Sequence, residues 1–140
     1  MRDIPVGNGR LLVNFDSKYQ IRDIYFPHVG QENHSEGFPF RFGIWVDGQF
    51  SWLFSDEWER ELRYLSNTLV SDVWTRNEQL QVEIISNDTV ASHENIFLRS
   101  VRVVNKDETR REFRVFLHHD FCIYENNVGD TAFFDPATRS

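Results

Sequence analysis

The chain has 140 residues, enough for one domain or part of one, with 40% hydrophobic residues, thirteen Phe, four Trp and a net charge of −7. That charge argues against a nucleic acid or an anionic membrane as partner, since both need a basic surface. The one cysteine, Cys122, excludes an internal disulfide, and no segment has the apolar run of a signal peptide or a membrane span, so a cytoplasmic protein is expected.

Taken in order, Gly7-Asn8-Gly9 marks a turn, after which Leu11, Val13 and Phe15 alternate as a strand. Asp16-Ser17-Lys18 turns the chain into a second strand. This strand is predicted to end at Phe26, because Pro27 lacks an N–H and biases its neighbour toward extended geometry. A dense polar loop follows to His34, with Gly30 permitting a turn. Phe40, Phe42, Ile44 and Val46 then alternate with Arg41, Gly43, Trp45 and Asp47. Asp47-Gly48 predicts a type I′ hairpin, which needs positive φ at both central positions, and Phe50, Trp52 and Phe54 continue the partner strand.

Residues 55–65 fit two patterns. Asp56 and Glu59 form a capping box before a helical stripe of Trp58, Leu62 and Leu65; equally, Trp58, Leu62 and Tyr64 fit a period of two, with Arg60 the odd member. Leu69, Ser71, Val73 and Thr75 lead to a predicted turn at Asn77-Glu78, and Leu80, Val82 and Ile84 to another at Asn87-Asp88. Residues 95–104 are apolar on both faces, as in a strand covered on both sides or carrying a bulge. Asn105-Lys106-Asp107-Glu108 predicts a hairpin loop. Phe113, Val115, Leu117, Phe121 and Ile123 form the clearest inward face, and 132–136 reads as a strand reaching a turn. Turn signals at this spacing, with no long amphipathic helix, define an all-β, antiparallel β-sandwich.

Few residues point to chemistry. His28, Glu32 and His34 are metal-ligand types, but a loop with Pro27 and Gly30 gives them no regular spacing, and no metal or other cofactor is expected. His118 and His119 are neighbours in a predicted strand and so point to opposite faces; His119 shares the apolar side of Leu117 and Phe121. Glycoside cleavage needs two carboxylates flanking the bond, and spacing singles out none of the 22 acidic residues; Glu57, Glu59 and Glu61 read as a solvated face. No serine sits in a nucleophile elbow, and no phosphate-binding glycine loop is present. The sequons Asn33-His34-Ser35 and Asn87-Asp88-Thr89 matter only in a secreted eukaryotic chain. Trp45, Trp52, Trp58 and Trp74 are either a sugar-stacking platform or core.

Residues 23–34, Asp-Ile-Tyr-Phe-Pro-His-Val-Gly-Gln-Glu-Asn-His, resemble the start of the N-terminal β-sandwich of bacterial and archaeal family 15 glycoside hydrolases, the glucoamylase and glucodextranase group. Val6 to Val13, Val46-Asp47-Gly48, His119-Asp120-Phe121 and Gly129 to Pro136 match further, in family order, so the resemblance covers nearly the whole chain. It implies that residues 1–140 are the N-terminal portion of a larger super-β-sandwich, incomplete at its C-terminal side. It also implies a helical-barrel domain, absent here, that carries the catalytic glutamates and releases glucose from α-glucan ends. No catalytic residue is therefore expected in this chain, whose partners would be that barrel and an α-glucan oligosaccharide. Tyr25, His28, Gln31, Glu32, Asn33 and His34 are expected at the interdomain contact or the active-site rim, because a turn needs Pro and Gly but not so many donors and acceptors. A free-standing carbohydrate-binding sandwich is the alternative.

Overall fold

The computed structural model describes residues 3–125 and 135–138. The fold is an all-β sandwich of three antiparallel sheets. Sheet A holds β1 (Ile4–Gly7), β2 (Leu12–Phe15) and β3 (Ile21–Tyr25) in sequential order. Sheet B has the order β10-β4-β5, from β4 (Arg41–Val46), β5 (Gln49–Trp52) and β10 (Phe113–His118). Sheet C runs β6 (Glu59–Tyr64), β7 (Ser71–Asn77), β8 (Val82–Val90) and β9 (Phe97–Asn105). A bridge between Ile21 and Phe40 stitches sheets A and B, and the inward residues of all three sheets pool in one core.

Alternation accounts for most of these strands. In β4, Phe42, Ile44 and Val46 are buried, and Gly43 faces outward. A Cβ on Gly43 would lie 2.6 Å from Phe50 and 2.7 Å from Trp52, whose rings lie over it. The hairpin at Asp47-Gly48 has the expected positive φ at both residues, 50° and 81°. Residues 59–64 are a strand, not a helix: Trp58 and Leu62 are buried, and Arg60 is accommodated between them by donating to the carbonyls of Leu53 (3.1 Å), Phe54 (3.2 Å), Ser55 and Trp58 (3.2 Å). Arg111 ties three connections together, reaching Leu80 O (2.9 Å), Gln81 O (2.7 Å), Asn105 Oδ1 (3.0 Å) and Asp47 Oδ2 (3.3 Å).

Several expectations are corrected. β1, a strand not expected from the residue pattern, buries Ile4 and Val6. No turn forms at Asn87-Asp88; β8 runs through to Val90, with Asp88 fully buried. Its carboxylate is satisfied by distant residues: Tyr19 Oη donates at 2.7 Å, Ser71 Oγ at 3.0 Å and Arg99 Nε at 2.6 Å. The Arg99 guanidinium lies 5.1–5.7 Å from the ring centres of Tyr19, Phe15, Phe97 and Phe42. Burial pushes the Tyr19 hydroxyl far above its ordinary pKa, so it stays a donor.

Residues 105–108 are not a hairpin loop, because β9 pairs with β8 and β10 with β4; the chain crosses between sheets here. β9 is neither covered on both faces nor bulged, since its ladder with β8 is unbroken and Leu98 on the outer side is exposed. The supposed inward face of the last strand is also open. Val115 and Leu117 lie opposite the buried Ile44 and Phe42, yet are 44% and 49% exposed. The strand stops at His118, so Phe121 and Ile123 belong to the segment beyond it and are exposed as well. Phe113 packs against the core and Phe121 meets the core ring of Phe40 edge-on at 4.6 Å, whereas Val115 and Leu117 stand open on β10, at the edge of sheet B. Of the expected strand and turn at 132–136, residues 132–134 lie outside the described residues; the chain turns at 136–138.

Candidate functional site

The loop from Phe26 to His34 leaves the end of β3 through a cis Phe26–Pro27 bond and turns at Gly30, where φ is 84°. It returns to β3 through a bridge between Tyr25 and Asn33. Asn33 supplies the stitching. Its Oδ1 accepts from the N–H groups of Ile24 (3.0 Å) and Ser35 (3.2 Å), and its Nδ2 donates to Asp23 Oδ1 (3.0 Å). Asp23 in turn accepts from Asn14 Nδ2 at 3.0 Å and Arg22 Nε at 2.8 Å. The Ser35 hydroxyl, fully buried, reaches Arg22 O at 2.6 Å.

His34 is buried and pinned on every side. Its N–H donates to Ile24 O (2.7 Å) and its carbonyl accepts from Cys122 N–H (2.8 Å). Nε2 lies 2.8 Å from Phe26 O and Nδ1 accepts from Tyr124 N–H at 3.1 Å, which assigns the ring proton to Nε2. The Tyr124 ring meets the imidazole edge-on, at 5.1 Å. Both ring nitrogens are thus committed, and His34 has no lone pair to offer a metal. Among the described residues no group of three or more His, Cys, Asp or Glu is placed to hold one.

The six residues singled out in the sequence therefore divide. Asn33 and His34 fasten the loop to β3 and to the segment at Cys122–Tyr124. Tyr25 is half-buried at its root, while His28 and Gln31 are exposed at its tip. Glu32 is half-buried, with Oε2 closed off from solvent and without a hydrogen-bond donor among the described residues. The result is a tip of polar side chains on a rigid base, which suits presentation to another surface.

The four tryptophans separate as sharply. Trp58 is buried, its indole N–H donating to Ser51 Oγ at 2.9 Å. Trp52 packs among Phe50, Phe54 and His118 on the outer side of sheet B, and the Arg114 guanidinium covers Trp45 at 4.7 Å. Trp74 stands on the outer face of sheet C, in a groove with Glu61, Arg63, Asp72, Ile85 and Arg102. The sequence did not reveal this groove, because the residues come from four strands whose register is set by pairing. The even spacing of Asp72 with Trp74 and of Glu61 with Arg63 was the available signal.

These features define a β-sandwich, similar to part of a glycosyl hydrolase, that presents a polar loop and an aromatic groove. The similarity is to an uncharacterized glycosyl hydrolase of Methanocaldococcus jannaschii, 26% identical over 129 residues, which cover 92% of this chain and 20% of that protein. The chain thus spans about a fifth of the length of the curated relative it matches. No family model and no solved structure matches it. No helix among the described residues is long and apolar enough to cross a membrane.

Proposed function

We propose that this chain is the non-catalytic N-terminal sandwich portion of a cytoplasmic, glucoamylase-like α-glucan hydrolase. It packs on a helical-barrel catalytic domain and shapes the rim of that domain's active site through the loop at 26–34. The observation that carries this reading is the open inner side of β10, where Val115 and Leu117 face the core side but remain 44% and 49% exposed. Apolar surface placed in this way needs a covering partner. The buried Glu32 Oε2, without a donor among the described residues, supports the same role for the loop, since a donor from the adjoining domain would satisfy it. The much greater length of the similar glycosyl hydrolase leaves room for such a domain.

The test uses the parent enzyme. His28→Ala with Gln31→Ala alters the exposed tip without touching the Asn33 and His34 stitching, and Lys106→Ala with Glu108→Ala serves as the distant control. Weakened glucose release or looser domain docking for the first pair, with little change for the second, is expected. Equal effects from both pairs would overturn the rim role, and glucose release from maltooligosaccharides by the isolated chain would overturn the non-catalytic assignment.

A further inference from the structure

Strand register builds the groove on sheet C. Glu61 on β6 lies opposite Trp74 on β7, Trp74 opposite Ile85 on β8, and Ile85 opposite Arg102 on β9. Their neighbours Leu62, Val73, Thr75, Ile84 and Ser86 are buried, so this row points away from the core. Two residues along, Arg63 faces Asp72 and bonds it at 2.8 Å, while its other arm reaches Glu61 at 3.3 Å. Among the described residues Arg102 has no ion-pair partner. The row crosses three inter-strand gaps, about 14 Å at the usual sheet spacing. The space enclosed is about 460 Å³ and open to solvent along its length.

Two properties set the chemistry of what fits. First, no aromatic ring or cation among the described residues covers the Trp74 indole, whereas Trp45, Trp52 and Trp58 are covered or buried. Second, two carboxylates face two guanidiniums across the groove, which leaves it without a dominant sign of charge. A phosphate or nucleic acid would meet Glu61 and Asp72 without a basic surplus. A protein surface would have to strip water from four charged groups around one tryptophan. A neutral ligand with a flat C–H face and a rim of hydroxyls meets neither objection, because carboxylates accept and guanidiniums donate to adjacent hydroxyls in pairs.

We propose that this groove binds a short saccharide chain, one sugar ring lying on the Trp74 indole with its hydroxyls on Asp72, Glu61 and the two arginines. The Arg63–Asp72–Glu61 pairing holds these groups in place before the ligand arrives, so little side-chain freedom is lost on binding. The site is separate from the loop at 26–34, and its binding does not depend on whether the chain supports a catalytic barrel.

The experiment is isothermal titration of the chain with maltohexaose, isomaltohexaose, cellohexaose and mannohexaose, each to millimolar concentration. Binding of at least one is expected. Trp74→Ala should weaken it about tenfold or more, the equivalent of about 1.4 kcal/mol. Arg102→Gln, at an exposed residue without an ion-pair partner among the described residues, should weaken it too, which keeps the test decisive if the Trp74 variant folds poorly. Trp45→Ala should leave it unchanged. Failure of all four sugars to bind, or binding that survives both Trp74→Ala and Arg102→Gln, overturns the proposal. Neither result touches the rim role, which is judged by catalysis in the parent enzyme.

Discussion

Replacing Arg99 by Met removes the cation paired with the fully buried Asp88 while keeping an unbranched apolar stem among the rings of Phe15, Tyr19, Phe42 and Phe97. The carboxylate keeps its bonds from Tyr19 and Ser71, but it loses the 2.6 Å contact to Arg99. An uncompensated buried charge costs about 3–5 kcal/mol, a large share of the 5–15 kcal/mol that holds a typical domain together. Urea unfolding followed by tryptophan fluorescence, with wild type and variant compared at pH 7, measures the loss. A loss below about 1 kcal/mol would refute the view that this pair organises the core. Arg99→Met combined with Asp88→Leu should recover most of the loss, because it removes both charges together.

Three further outcomes can be measured. Asn33→Ala strips donors and an acceptor from the base of the polar loop and should cost about 1–3 kcal/mol in urea unfolding, whereas His28→Ala at the exposed tip should stay within about 0.5 kcal/mol. Burial, with Arg99 and His118 nearby, lowers the pKa of His119, so its contribution is fully present above its unfolded value of about 6.5 and is lost as pH falls toward the lower folded value. His119→Phe should flatten the stability profile between pH 5 and pH 7, and an unchanged slope would remove His119 as its source. The open side of β10 should bind an apolar dye and promote self-association, and Val115→Thr with Leu117→Lys should reduce both; a wild-type chain that stays monomeric without dye binding would contradict this.

The hairpin at Asp47-Gly48 and the alternation of Phe42, Ile44 and Val46 were legible in the sequence because each is decided within a few residues. Asn87-Asp88 misled for the opposite reason. As a dipeptide it looks like a turn, and only Tyr19, Ser71 and Arg99, the first 69 positions away, make burial of that carboxylate acceptable. The connection at 105–108 misled similarly: local composition marks a reversal, but the strand that follows pairs with β4, not β9. In the polar loop, composition located the feature without separating the residues that fasten it from those that face outward. Asn33 and His34 look as functional as His28 on the page, and their inward bonds to Ile24, Phe26 and Tyr124 depend on the return of the chain.

Arg60 and Arg111 carry a consequence for the loops they hold. Arg60 gathers carbonyl oxygens within the connection from β5 to β6 and Arg111 gathers oxygens from separate connections, as a bound calcium ion does, but here the cation is part of the polypeptide. A chelator cannot remove it, and it does not depend on the supply of any metal. The arrangement also resists conservative change, since lysine offers a compact ammonium where these junctions use the planar fork of a guanidinium to span several carbonyls at once. These corners of the sandwich are set from the moment the arginines are in place, and their order is inherited with the sequence, not acquired from the surroundings.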